Sequence, residues 1–179
     1  CIILFALVFY VSPAWAGTLK GHWKLDTDPN MDPPPADPNV LLTAVDELGI
    51  NNGRLTNGPV WISGVTAGTF AVDFDGVDDY VDMGYAPELN MGTGNLSITA
   101  WVKISAAPIN AAIAGKGLLA DDSAYGLFVL AGGQVGLQVR TRTAYREVYS
   151  NDNGGNWDGF VDDNQWHHVV GVLEREKVD

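Results

Sequence analysis

The most informative part of this sequence is an acidic stretch set among strand-forming residues, Phe74-Asp75-Gly76-Val77-Asp78-Asp79-Tyr80-Val81-Asp82. It places four carboxylates within eight residues and divides them with a glycine, which is typical of a tight turn between β-strands. Acidic turns of this kind either cap their own backbone or present oxygen ligands to a cation. A second informative stretch lies near the end of the chain, at Trp166-His167-His168-Val169.

Alternation of apolar and polar residues predicts β-strands around both stretches. Phe70, Val72 and Phe74 alternate with Ala or Asp, which is the period of a half-buried strand. The longest alternating run covers residues 96–104, where every second residue is apolar. Further strands are predicted at residues 21–25, 125–131, 135–141, 146–150 and 167–173, with Asn- and Gly-rich turns between strands. The sequence therefore predicts an all-β fold, an antiparallel β-sandwich.

Five motifs, in their order along the chain, resemble the laminin-G-like domains of the concanavalin-A-like jelly-roll family. They are residues 22–26, 46–53, 74–81, 98–103 and 166–169, of which the third is similar to the family pattern F-D-G-x-D-D-Y-V and the last to W-H-H-V. The resemblance implies a jelly-roll sandwich and, in many members, a structural calcium ion. The family continues past its W-H-H-V strand with a hairpin, so we expect this domain to be truncated on its C-terminal side, beyond Asp179.

Residues 1–16 are predicted to be a secretory signal peptide. An apolar run over residues 2–11 is followed by Ser12-Pro13 and then by an A-x-A cleavage site at Ala14-Trp15-Ala16. The run is too short for a transmembrane helix, which needs about 20 apolar residues. We therefore expect a secreted protein without membrane insertion after cleavage, whose single sandwich domain covers residues 17–179. Cleavage would remove Cys1, the sole cysteine, so the mature domain would contain no disulfide.

The charge balance limits the partners of this protein. Ten basic residues stand against 22 acidic ones, and 17 of the acids are aspartate. Nucleic acid is excluded as a partner because its binding requires many Lys and Arg side chains to neutralise phosphates. Abundant aspartate suits turns and caps, and it also suits oxygen-preferring cations such as Ca²⁺.

A calcium site is the first hypothesis for chemistry in this sequence. The predicted ligands are the side chains of two acidic turns, Asp46, Asn51, Asp75 and Asp78, because the resemblance places these loops near one end of the sandwich. Backbone carbonyls would have to complete the six to eight oxygens that Ca²⁺ prefers. The alternative is that these residues cap their own turns.

The sequence assigns no catalytic residue. Its five glutamates are scattered and none begins the paired-carboxylate spacing of sandwich glycosidases, and nucleophile-elbow, zinc-protease and phosphate-loop motifs are missing. The aromatic residues Trp101, Trp166, Phe74 and Tyr80 are expected to pack the sandwich.

The sequence favours a secreted, non-catalytic recognition module that binds a glycan or an extracellular protein surface, with further domains downstream. Exposed aromatic rings at Tyr145, Tyr149 and Trp157 are the predicted ligand-binding residues, because rings stack on sugars. Two alternatives stay open: a fragment of a glycoside-active sandwich enzyme, and a structural spacer in a longer surface protein.

Overall fold

The computed structural model describes residues 18–30, 41–90, 92, 94–105, 110–117, 124–140, 145–150 and 159–175, together with the backbone of residues 2–12. In these residues the chain is almost entirely β-structure. The strands are β1 (Ile2–Ser12), β2 (Thr18–Trp23), β3 (Thr43–Ala44), β4 (Gly53–Thr56), β5 (Val60–Ser63), β6 (Phe70–Phe74), β7 (Tyr80–Asp82), β8 (Asn95–Ile104), β9 (Ala111–Lys116), β10 (Tyr125–Val129), β11 (Val135–Arg140), β12 (Tyr145–Tyr149) and β13 (Trp166–Leu173). A short 3-10 helix, Pro87–Leu89, lies between β7 and β8.

The strands form three antiparallel sheets. The largest has the order β13-β8-β1-β6-β5, with β2 also paired to β1. The second has the order β12-β11-β10-β9, and the third has the order β3-β4-β7. These pairings confirm the predicted all-β class, and the predicted strands at 21–25, 125–131, 135–141, 146–150 and 167–173 fall on β2, β10, β11, β12 and β13.

Strand β8 shows how the alternating pattern becomes a core. Its even-numbered residues from Leu96 to Ile104 are buried, whereas its odd-numbered residues are half-buried. Successive side chains of a strand point to opposite faces, so one face of β8 packs inside the molecule and the other looks outward. The predicted assignment of the two faces is confirmed.

Two of the sheets pack face to face around this core. A Cβ atom added at Gly171 of β13 would lie 3.0 Å from the Leu127 Cδ1 atom and 3.1 Å from the Leu137 Cδ1 atom. The glycine therefore allows β13 to approach β10 and β11 closely. Buried residues of both sheets, including Val102, Leu127 and Val139, belong to one hydrophobic cluster, as a sandwich requires.

Residues Ile2–Ser12 occupy an interior position in the largest sheet. Strand β1 pairs with β8 on one side, and with β6 and then β2 on the other. This pairing belongs to the chain that still carries its first sixteen residues. It does not test cleavage, so the signal peptide over residues 1–16 and the domain over 17–179 stay predictions.

The aromatic residues differ from expectation in where they lie. Trp23, which the sequence did not single out, is completely buried, and its Nε1 atom donates a hydrogen bond of 2.8 Å to the Asn51 carbonyl oxygen. Tyr80 was expected in the core but is 48% exposed, because it lies on the short strand β7 beside an open cleft. Trp101 lies on the outward face of β8, and its ring centroid is 5.2 Å from that of His168.

Candidate functional site

The first acidic turn is built around Asp46, which is only 1% exposed. Its Oδ1 atom accepts hydrogen bonds from the backbone N–H groups of His22 (3.0 Å) and Leu48 (3.1 Å). Its Oδ2 atom accepts from the N–H groups of Ile50 (3.3 Å) and Asn51 (3.0 Å). Burial alone raises the pKa of Asp46, but these backbone donors outweigh it and hold the pKa below its usual value. Both oxygens of this carboxylate are thus used by the backbone.

The neighbouring asparagines complete this turn. Asn51 is 6% exposed, and its carbonyl oxygen accepts the bond from Trp23. The Asn52 Oδ1 atom accepts a hydrogen bond of 2.9 Å from the Asp46 N–H group. The predicted ligands Asp46 and Asn51 therefore lie together and join the turn to β2, which is the capping role that the sequence left open. Their role as metal ligands stays a prediction.

In the second acidic turn, residues 75–79, the first four residues are exposed and Asp79 is half-buried; this turn is called the acidic loop below. Carboxylate oxygens of Asp75, Asp78 and Asp79 lie within 4.8 Å of one another. Asp46 does not belong to this group. The structure thus brings the predicted ligands Asp75 and Asp78 together and adds Asp79, which the sequence analysis had not selected although it stands in the same acidic run.

Hydrogen bonds within the acidic loop use only part of its oxygen ligands. The Asp75 Oδ1 atom accepts from the N–H groups of Val77 (2.7 Å) and Asp78 (3.4 Å), and the Asp79 Oδ2 atom accepts from the Asp75 N–H group (2.9 Å). Gly76 has a φ of 81°, a left-handed conformation that glycine adopts without strain and that tightens the turn. Among the described residues no hydrogen-bond donor contacts the second oxygens of Asp75 and Asp79, so these oxygens can face a cation.

An open cleft of about 860 Å³ lies beside the acidic loop. One wall is formed by the acidic loop, β7 and residues 83–86, and the other by β9. Buried residues of the core, Leu25 and Leu89, also line it. The lining is more apolar than polar, and two carboxylates, Asp79 and Asp82, border it. A cleft of this size and character fits a small ligand or one unit of a polymer.

Tyr85 is the most exposed aromatic ring on the cleft, at 83%. The Lys116 Nζ atom donates a hydrogen bond of 2.6 Å to the Tyr85 carbonyl oxygen and lies 5.8 Å from the centre of the tyrosine ring. Burial lowers the pKa of Lys116, and the nearby Glu88 carboxylate opposes that change. The Asp82 Oδ1 atom accepts a hydrogen bond of 2.7 Å from the Gly84 N–H group. The Lys116 contact joins the segment that carries Tyr85 to β9 on the opposite wall, and the Asp82 contact fixes the same segment to the end of β7.

The three aromatic residues predicted to bind ligand have separate positions. Tyr145 is 45% exposed and borders a smaller depression of about 360 Å³, which it shares with Lys116 and Arg140. Tyr149 is half-buried, and its hydroxyl group donates a hydrogen bond to the Glu147 Oε2 atom. Trp157 lies outside the described residues. Ligand binding by these three residues stays a prediction, and the larger cleft with Tyr80 and Tyr85 was not anticipated from the sequence.

The adjacent histidines of β13 point in different directions, as expected for a strand. The His167 Nε2 atom lies 2.8 Å from the Asp163 Oδ1 atom, and this contact lowers the pKa of Asp163. His168 contacts Trp101 instead. The two rings therefore do not face a common ion.

Comparison with known proteins adds one finding to this geometry. The family model described as the concanavalin A-like lectin/glucanases superfamily matches residues 75–179, which is more than half of the chain. The matched part begins at the acidic loop. No curated protein and no solved structure matches the chain. Among the helices of the described residues, none has the length and apolar character needed to cross a bilayer.

Proposed function

Since the chain belongs to the concanavalin A-like lectin/glucanase superfamily, we propose that it is a secreted, non-catalytic recognition module whose ligand is a carbohydrate. Domains of the laminin-G-like type are typically extracellular and bind glycans or extracellular proteins. In this proposal the domain serves a larger extracellular protein, with further domains downstream. The family supplies the fold and the general class of ligand, so the choice of a glycan must rest on the site itself.

The observation that carries the proposal is the cleft between β7 and β9. Tyr80 and Tyr85 expose large ring surfaces there, at 48% and 83%, although burial of tyrosine is favourable. Such rings can stack on the apolar face of a sugar, while Asp79 and Asp82 accept hydrogen bonds from its hydroxyl groups. Lys116 fixes the backbone of Tyr85, so the ring is positioned before a ligand arrives.

The distribution of acids favours binding over glycoside hydrolysis. Hydrolysis needs two carboxyl groups that flank the scissile bond, about 5–10 Å apart. Among the described residues that line the cleft, the acids are Asp79 and Asp82, both at the β7 wall, while β9 contributes Lys116. One carboxylate on each side of a bound sugar is therefore not available from these residues.

A structural calcium ion at the acidic loop is part of the proposal. Metal binding is frequent in this superfamily. The oxygens of Asp75, Asp78 and Asp79 lie close enough to share an ion. Calcium takes six to eight oxygens, so water or backbone carbonyls would complete the shell. The donor set fits calcium, a cation that prefers oxygen ligands.

A matched pair of tyrosine substitutions tests the site. Tyr85→Ala should weaken binding to a glycan retained by the wild type by about tenfold, since an aromatic contact contributes up to about 1.5 kcal/mol. Tyr145→Ala removes another exposed tyrosine ring, 45% exposed, from the smaller depression and should leave the affinity unchanged. Titration calorimetry of both variants measures these affinities and tests whether the glycan binds beside Tyr85. The opposite pattern would move the site to the predicted residues Tyr145, Tyr149 and Trp157.

Secretion is proposed through cleavage after Ala16. N-terminal sequencing of exported protein should begin near Gly17, and a sequence that begins at Cys1 would contradict the signal peptide. Cleavage would take β1 out of the largest sheet, so the processed protein must satisfy the backbone groups of β8 in another way.

A further inference from the structure

The charges around the cleft are strongly unequal. Asp79 and Asp82 border the cleft itself, and Asp75 and Asp78 adjoin Asp79 in the acidic loop. Among the described lining residues, Lys116 is the cation. The whole chain has a formal net charge of −12, and a calcium ion on the acidic loop would offset only two of its three carboxylate charges and leave Asp82 untouched, so the cleft stays acidic with or without the ion.

Lys116, the cation of the cleft, already contacts other groups of the protein. The Lys116 ammonium donates to the Tyr85 carbonyl oxygen and lies over the Tyr85 ring. Glu88 adds a further carboxylate whose charge acts on Lys116. The ammonium has three N–H donors, so an anionic ligand group can still reach it, but that group would share this one positive charge with Glu88 and would lie among the carboxylates of the cleft.

From these charges we infer that the cleft binds uncharged glycans and rejects glycans that carry uronic acid or sulfate groups. The inference rests on the proposed glycan-binding function and adds the class of sugar. Carboxylates are hydrogen-bond acceptors, so Asp79 and Asp82 suit the hydroxyl groups of a neutral ring. A carboxylate or sulfate on the sugar meets charges of its own sign there, and such contacts disfavour the wrong ligand.

The test is a panel of immobilised polysaccharides in low salt. Neutral members are β-glucan, xylan, mannan and galactan; acidic members are polygalacturonate, alginate, heparin and a β-glucan oxidised at C6 to the uronic acid. The panel is measured once with calcium and once with chelator, because an ion at the acidic loop could bridge to an acidic sugar. Binding of a neutral member at least ~10-fold tighter than every acidic member in both conditions supports the inference.

Two other outcomes are distinguishable. An acidic polysaccharide that binds within ~10-fold of the best neutral one, with calcium or with chelator, overturns the inference and leaves glycan binding intact. If the protein binds no polysaccharide of the panel, with calcium or with chelator, the proposed glycan-binding function is overturned together with the inference.

Charge-neutralising substitutions test whether the carboxylates of the cleft cause the preference for neutral glycans. Asp79→Asn and Asp82→Asn each keep an acceptor oxygen and remove a charge, so together they should narrow the preference for the neutral glucan over its oxidised form by about tenfold. Asp163→Asn removes an exposed carboxylate that borders neither cleft and should leave the preference unchanged. If Asp163→Asn changes the preference as much as either single cleft substitution does, the selectivity comes from net charge alone and the role of the cleft is overturned.

Discussion

The two acidic turns of this protein each begin with an aspartate and contain a glycine, but their environments are opposite. Asp46 is 1% exposed, and both of its oxygens accept backbone hydrogen bonds, four in all. Asp75 and Asp78 are exposed and Asp79 is half-buried, the three lie close enough to repel one another, and the described residues place backbone donors on only some of their oxygens. The first turn fastens β2 to the segment after β3, whereas the second borders an open cleft.

The difference lies in what the carboxylate oxygens contact. An oxygen that accepts backbone N–H groups in the interior is already satisfied, and removing it leaves donors buried without partners. Removing one of several neighbouring carboxylates at the surface costs less stability, because their charges repel one another. A cation bound between them can also relieve this repulsion. The first turn therefore contributes to stability, and the second has the capacity to bind. Three experiments test this division.

The largest effect is expected from Asp46→Ala. It removes the acceptor for four backbone N–H groups at a buried site, and a hydrogen bond to a charged group contributes about 1.5–3 kcal/mol, so a loss of at least about 3 kcal/mol is expected. In chelator, which removes any contribution from bound calcium, Asp75→Ala is the matched control and should cost less than about 1 kcal/mol, like the loss of an ordinary exposed cap. Urea unfolding of both variants measures the difference. Equal losses would mean that the two turns do not differ in their structural role.

A somewhat smaller effect is expected from calcium. An ion that binds only the folded protein stabilises it by about 2.7 kcal/mol at a hundredfold excess over its dissociation constant. Chelator should lower the melting temperature of the wild type, and Asp75→Asn should abolish most of that decrease. Asp46→Asn should retain it, although this variant melts at a lower temperature throughout. A wild type that melts identically in calcium and in chelator would make the acidic loop a set of turn caps.

The smallest effect on stability is expected when the pH is lowered. The pKa of Asp46 is lower in the folded state than its ordinary value of 3.8, because the backbone donors favour the ionised form. Its contribution to stability is therefore complete above about pH 4 and is lost as the pH falls through the lowered folded-state pKa. Asp46→Asn should flatten the acid side of the profile of melting temperature against pH.

Two other carboxyl groups serve as references for this profile. Asp163 also has a lowered pKa, caused first by its hydrogen bond with His167, but it is exposed to solvent. Asp163→Asn should therefore change the profile little. Burial raises the pKa of Asp73, so this group changes stability with pH in the opposite direction to Asp46. The contribution of Asp46 must therefore be measured by comparing variants rather than from the wild-type profile alone. An Asp46→Asn profile parallel to that of the wild type would contradict the structural role of Asp46.

Much of the fold was predictable because its signals are local. The alternation from Leu96 to Ile104 predicted both faces of β8, since successive side chains in a strand point to opposite sides whatever the strand pairs with. Gly76 between acidic residues predicted a turn for the same reason: its left-handed φ is a property of a few residues. The pairing partners of β8 were not predictable in this way, because register depends on the rest of the sheet.

Less of the candidate site was predictable. The sequence identified Asp75 and Asp78 but grouped them with Asp46 and Asn51, and the structure groups them with Asp79. Tyr80 was expected in the core, although the ring is exposed beside the cleft. Tyr85 and Lys116 carried no sequence signal, because a lone tyrosine and a lone lysine are common on any surface.

By itself, then, the sequence determined the all-β class, the family and the positions of the acidic turns, which depend on residue type and spacing over a few positions. Tertiary structure alone decided which carboxylates the backbone uses and which rings stay exposed. Asp46 accepts a hydrogen bond from the N–H group of His22, which is 24 residues away in the chain. Lys116 donates one to the carbonyl oxygen of Tyr85, which is 31 residues away. Burial and hydrogen-bond partners are set by such distant neighbours, so residues of the same type acquire different roles only when the chain has folded.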